Sequence, residues 1–213
     1  MTRLEILSDP ICPWCYIGAA NLMRAMEARA DHGLAVSWRP YFLNPDMPPG
    51  GMERTDYLEA KFGGKDAAVK AYMPVQAAAE AAGLSLDFRA IARTPNTLDA
   101  QRVIHWAGTE GAQTRVAMAL FKAYFEKGAD LEDPETLARI AGEAGCDAGV
   151  IGRLLAGDAD RAEIRAAAAE AARMGVTGVP TFILGGHYVV PGAQPSDLWT
   201  KVIDELAAAA AGS

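Results

Sequence analysis

Cysteine is scarce, with three residues in a chain of 213. Three thiols cannot build a disulfide framework, and a chain of this length buries enough apolar surface to fold without one. Basic charge is also in deficit: 20 Lys and Arg stand against 27 Asp and Glu, a net charge of −7. The electrostatic footprint of a nucleic-acid binder is therefore missing, and no nucleic-acid partner is expected. Uninterrupted hydrophobic runs are lacking too. The stretch from Gly175 to Ser196 holds no charged residue, but Gly178, Pro180, Gly185, Gly186, Pro191, Gly192 and Pro195 punctuate it. It reads as sheet and turns, and no membrane association is expected. A secretory leader is not recognisable, since Glu5 precedes Cys12 and no apolar h-region stands between them, so the expected location is cytoplasmic. With 21 glycines, 12 prolines and 51% hydrophobic residues, the composition is that of a packed globular protein and not of a disordered one.

What is present reads first as a βαβ unit. Residues 3–8 alternate as a short strand, Ile17, Leu22, Met23 and Met26 recur at helical spacing up to about Ala30, and residues 34–43 form a second strand rich in β-branched and aromatic side chains. That order favours a parallel pair. Asn44 to Gly51 is a loop. Strand signals then vanish for more than a hundred residues, and helices are expected at 53–62, 65–82 with Pro74 kinking it, 95–108, 111–127, 134–144, 148–156 and 159–174. Thr94 before Pro95, Asp133 before Pro134, Asp147 and Asp158 offer N-caps. Strands return at 181–184 and 187–190, joined by Gly185-Gly186 as a two-residue hairpin, and a last helix from about Pro195 carries Leu198, Trp199, Val202, Ile203 and Leu206 on one face. The expected fold is α/β: residues 1–45 and 159–213 assemble a four-stranded mixed sheet, and residues 46–158 form a large all-helical insertion.

The chemistry-bearing segment is Cys12-Pro13-Trp14-Cys15, placed where the first strand hands over to the first helix. Free N–H groups and the positive end of the helix dipole favour negative charge on the Cys12 sulfur, and the thiolate is the attacking form of cysteine. Half of a zinc site is the competing reading. Zinc needs four ligands, whereas Cys146 stands alone and His32, His105 and His187 lack metal-ligand spacing, so no metal is expected. Pro13 and Trp14 are candidate substrate contacts; Trp14 either offers an apolar surface to peptides or packs on its own helix. A second element is Gly175-Val-Thr-Gly-Val-Pro180. A proline at a strand start is unremarkable by itself. In the expected sheet, however, that strand start can fall beside the first helix, and a cis Val179–Pro180 bond would leave the Val179 backbone facing Cys12, able to bind an extended peptide.

Together with Asp9 to Gly18, Arg93 to Thr97, Gly175 to Phe182 and Val190 to Pro195, these motifs make the chain resemble the DsbA-like branch of the thioredoxin superfamily, most closely its cytoplasmic FrnE-type members. The resemblance implies a thioredoxin-like core interrupted by helices and dithiol–disulfide oxidoreductase activity. It implies Cys12 as the attacking cysteine, Cys15 as the resolving one and Pro180 as the cis-proline. The region around Asn96 lies near the active site in that group, which makes Asn96 either a substrate contact or a first-turn cap. No bound cofactor is implied; glutathione enters as reductant or co-substrate, and the partner is a protein or small molecule bearing a thiol or disulfide. Pro-Trp stands where the periplasmic oxidase carries Pro-His, which implies a less oxidising potential. Cys146 reads as a buried small hydrophobe.

Two other functions are compatible with parts of the pattern. One is a glutathione-dependent isomerase similar to 2-hydroxychromene-2-carboxylate isomerase or a kappa-class glutathione transferase. Such enzymes usually carry a serine where Cys12 stands, and the intact C-x-x-C counts against them. The other is a non-catalytic partner protein docking through its inserted helices, with Phe121, Tyr124 and Phe125 as the surface, although aromatics at that spacing are more often core. The same insertion could supply a homodimer face.

Overall fold

The computed structural model describes residues 1–211. β1 (Thr2–Ser8), α1 (Pro13–Glu27) and β2 (Leu34–Pro40) open the chain. Two short strands, β3 (Met52–Glu53) and β4 (Arg93–Thr94), bracket α2 (Arg54–Phe62) and α3 (Lys65–Ala81). There follow α4 (Leu98–Ala107), α5 (Gln113–Lys127), α6 (Pro134–Glu143), α7 (Ala148–Leu155) and α8 (Arg161–Arg173). β5 (Thr181–Leu184), β6 (Tyr188–Pro191) and α9 (Ser196–Ala211) complete it. The main sheet runs β2-β1-β5-β6, with β1 parallel to β2 and antiparallel to β5, which makes it the mixed four-stranded sheet of a thioredoxin-like fold.

Alternation along β1 sorts the core into two layers. Leu4 and Ile6 lie opposite Leu184 and Phe182 and join the large cluster, where the Phe182 ring meets Trp199 of α9 at 4.7 Å. Leu7 points to the other face and packs with Ile183 and Ala171 of α8. Helices thus cover both faces of β1, and its residues from Leu4 to Ser8 are buried without a break, Glu5 included. The helical block is tied on through aromatic contacts: Tyr16 of α1 stacks on Phe121 of α5 at 5.4 Å. Phe121, Tyr124 and Phe125 are all buried, so this trio is core and presents no docking surface.

Arg102 forms the other tie. It is fully buried, donates to Asp99 and to the carbonyls of Leu154, Gly157 and Ala159, and stacks 4.7 Å from the Trp106 ring. α4 is thereby fastened to the end of α7 and the start of α8.

Several sequence expectations need correction. Thr94 does not cap a helix: it pairs with Met52 in the β3–β4 ladder, because a residue before proline prefers extended backbone, and α4 begins only at Leu98. The same ladder interrupts the long strand-free stretch. Asp158 is no cap either; it pairs with Arg161, and Asp160 precedes α8 in a left-handed conformation, φ 59°. Asp133 and Asp147 do cap, accepting from Thr136 and Val150 amides respectively. β2 stops at Pro40 and not at residue 43. The β5–β6 connection has three residues, because Leu184 pairs with Tyr188; His187 belongs to the turn, where Gly185 and Gly186 supply φ of 61° and 80°. α3 runs through Pro74 as a single helix. No described helix is long and apolar enough to cross a membrane.

Candidate active site

Cys12 occupies the N-cap position of α1 with extended backbone, φ −91° and ψ 112°, and Pro13 follows at the first helical position, where its missing N–H costs nothing. The Cys12 carbonyl starts the helix by accepting from the Cys15 and Tyr16 amides. This places the Cys12 sulfur at the positive end of the helix and Cys15 one turn inside it. Both cysteines are free thiols and both are buried, at 4% and 1% exposure. Pro13 and Trp14 are half-buried at the mouth, Trp14 lying against the core.

The second segment arrives from the far end of the chain. The Val179–Pro180 bond is cis, and the Cys12 thiol donates to the Val179 carbonyl at 3.5 Å. Val179 lies outside the strands and its amide has no backbone partner among the described residues. α1 approaches this turn at Gly18, where a β-carbon would lie 3.1 Å from Pro180 Cγ and 3.2 Å from Ala193 Cα. Gly18 ends the Asp9-to-Gly18 motif, and this close packing is the physical reason for a glycine there.

The two thiols sit in unlike surroundings. Burial pushes the Cys15 thiol well above the ordinary range, the neighbouring Cys12 adds to this, and Ser8 and the Asp9 backbone oppose it. Ser8 Oγ is buried near Cys15 without a partner that meets hydrogen-bond geometry. Asp9, quoted in the motif but given no role by it, is completely buried. Its Oδ1 accepts the Ile11 amide at 3.2 Å, its Oδ2 the Leu43 amide at 2.8 Å, and its carbonyl the Cys12 amide at 2.9 Å. Desolvation raises its pKa to about 6, against the opposing pull of those amides.

Asn96 is not brought to the sulfurs by any recorded contact. Its Oδ1 accepts the Leu98 amide at 3.0 Å and its Nδ2 donates to the Met47 carbonyl at 2.6 Å, so it organises the start of α4 and the β2 exit loop. It lines an apolar cleft of about 680 Å³ with Tyr41, Leu43, Met47, Leu98 and Ala168. A second hollow of about 490 Å³ is bounded by Val176, Val179, Pro180, Ile183 and Val189 and opens beside Cys12's partner Val179. Cys146 lines neither; burial and Glu110 push its thiol up, and Arg115 opposes them. Among the described residues no cluster of His, Cys, Asp and Glu is arranged to hold a metal.

Comparison with known proteins agrees with this geometry. A crystal structure described as a probable DsbA oxidoreductase, SCO1869 from Streptomyces coelicolor, is 33% identical, superposes with a TM-score of 0.84, and is matched over 96% of this chain and 89% of that one. The structure of a 2-hydroxychromene-2-carboxylate isomerase shares the fold, with a TM-score of 0.73 at 17% identity over 99% and 98% of the two chains. A relative in Bacillus subtilis (strain 168), the uncharacterized protein YwbO, is 27% identical over 210 residues, 95% of this chain and 96% of its own. The model of the DSBA-like thioredoxin domain matches residues 3–204, and the chain belongs to that family of thiol oxidoreductases.

Proposed function

We propose that the protein catalyses thiol–disulfide exchange, with Cys12 as nucleophile and Cys15 as resolving thiol. The observation that carries this reading is the Cys12 sulfur at the N-cap of α1, 3.5 Å from the Val179 carbonyl, with a second thiol buried one helical turn behind. Cys12 stands at the helix N-terminus as the attacking group, whereas Cys15, pushed up by burial, rests as the thiol.

The Cys12 thiolate attacks one sulfur of a substrate disulfide; a Cys12–substrate bond forms and the other substrate sulfur leaves as a thiolate. Cys15 then attacks Cys12, the mixed disulfide breaks, and the second substrate sulfur departs, taking up the proton that Cys15 gives up. The enzyme ends as the Cys12–Cys15 disulfide and the substrate as two thiols. Run backwards, the same steps oxidise a dithiol; two glutathione molecules reduce the enzyme disulfide, leaving as glutathione disulfide. Pro13 and Trp14 border the thiol, the Val179 and Pro180 turn offers backbone to an extended substrate, and Asn96 shapes the adjoining cleft. The thioredoxin-like core of residues 1–45 and 159–213 carries this chemistry, with residues 46–158 as the insertion that roofs it.

The test is trapping. Cys15→Ala incubated with a disulfide substrate accumulates a mixed disulfide on Cys12, stable until an external thiol is added; Cys12→Ala forms none. Absence of the adduct in Cys15→Ala, with Cys12 shown accessible to alkylation, overturns the proposal.

A further inference from the structure

A second polar centre lies between the β2 exit loop and α2, outside the dithiol. Lys61 Nζ donates to the Tyr57 hydroxyl at 2.6 Å, and that hydroxyl donates to Asn44 Oδ1 at 3.2 Å. The Tyr57 hydroxyl thus accepts from the ammonium and passes its own proton to the Asn44 amide oxygen, a consistent donor-to-acceptor order. Asn44 Nδ2 is left buried and without a partner. The relay therefore starts at a cation and ends on an unused N–H₂, each bond polarising the next.

Charge around the relay leans the same way. Arg54 lies 5.5 Å from the Tyr57 ring and 5.6 Å from that of Tyr72, bonds only the hydroxyls of Thr94 and Tyr72 with its outer nitrogens, and keeps Nε buried and unpartnered. Among the described residues neither Arg54 nor Lys61 forms an ion pair with a carboxylate, although the chain has seven more acids than bases. Of the acids, Asp46 is exposed on the wall of the hollow, Asp9 is buried and held by its own amide donors, Glu53 is paired with Arg93, and Asp56 and Glu59 are exposed on α2. The hollow in front of Tyr57 measures about 440 Å³, its apolar walls made by Leu43, Pro45, Met47 and Met52. That is room for a small molecule.

It is also linked to the thiols through Asp9. The Leu43 amide bonds Asp9, and the Asp9 carbonyl bonds the Cys12 amide, so two hydrogen bonds connect the Asn44 loop to the reactive cysteine. Lys61 is near enough for its charge to act on Asp9.

We propose that Asn44, Tyr57 and Lys61 form a carboxylate-binding subsite, and that the substrate of the dithiol is a low-molecular-weight thiol or disulfide carrying a carboxylate. One carboxylate oxygen takes the free Asn44 N–H, the other a remaining Lys61 N–H, and the aliphatic part of the ligand lies on the apolar walls. The substrate assignment rests on the exchange reading above; the subsite itself does not.

The test separates the two. Binding of S-methylglutathione, which carries carboxylates but cannot exchange, is measured by calorimetry on the full chain. Lys61→Met and the nearly isosteric Asn44→Asp, checked for folding by circular dichroism, each weaken it by about tenfold or more, while Lys201→Met on α9 does not. The preference in kcat/KM for glutathione disulfide over neutral bis(2-hydroxyethyl) disulfide falls about tenfold in Lys61→Met, through KM. Unchanged S-methylglutathione affinity in both variants, or no binding to the unmodified chain at millimolar ligand, overturns the subsite. If binding falls as expected but neither disulfide is exchanged, the subsite stands and the exchange reading fails.

Discussion

A β-carbon at Gly18 would stand 3.1 Å from the ring of Pro180, with Phe182 Cζ at 3.3 Å and Ala193 Cα at 3.2 Å closing the other sides. None of these neighbours is the free end of a flexible side chain. In an exposed helix, alanine would be favoured over glycine by about 1 kcal/mol; overpacking here costs about 1–3 kcal/mol, and the clash wins. Gly18→Ala is expected to lose about 1 kcal/mol in urea unfolding and to slow exchange by pushing the Pro180 turn from Cys12. Equal or higher stability with unchanged exchange would show that the turn has room to give.

Asp9 links stability to pH. Its pKa in the fold is about 6, above the ordinary 3.8 of an aspartate, so folding favours the protonated form. The stabilisation is full below about pH 4 and is lost as pH rises through 6, leaving buried charge that costs about 3 kcal/mol at neutral pH. In Asp9→Asn this loss is absent. The stability difference, variant minus parent, is expected to rise by up to about 3 kcal/mol between pH 4 and pH 7, whatever its sign at either end. A difference that stays flat with pH, followed by urea unfolding, contradicts the assignment.

Arg102 should be the most sensitive charged residue in the insertion. Removing it takes the guanidinium from the carbonyls of Leu154, Gly157 and Ala159 and leaves Asp99 with Arg161 alone, a loss of about 3 kcal/mol for Arg102→Met. Arg102→Lys keeps the charge but not the fork, and recovers only part. A loss under about 1 kcal/mol in Arg102→Met would mean that water readily replaces the guanidinium.

Two aspartates make a paired control. Asp133→Ala removes the cap on the Glu135 and Thr136 amides and should cost about 1 kcal/mol, whereas Asp158→Ala, whose side chain is 97% exposed, should stay within about 0.5 kcal/mol. Equal effects would contradict the cap assignment.

The sheet and the helical block were legible because their signals are local. Alternation in residues 3–8, helical spacing after Cys12 and the Asp133-Pro134 start each depend on a few neighbours. The failures were equally physical. Thr94 and Asp158 carry the chemistry of caps, but the β3–β4 ladder claimed one and Arg161 the other. The proximity of Cys12 and Val179 was inferred from the expected sheet, not from any local pattern. Asp9, Asn44, Tyr57 and Lys61 were beyond reach, because an acid, an amide, a phenol and an amine become a network only once the β2 exit loop folds against α2 and the motif.

The contact between Cys12 and Val179 spans 167 positions of the chain. During synthesis the dipeptide between the cysteines leaves the ribosome early, while the turn that completes its surroundings follows only after the whole helical block. A nascent chain therefore displays two ordinary thiols for most of its translation, and redox competence arrives as a late event that coincides with closure of the sheet by β5.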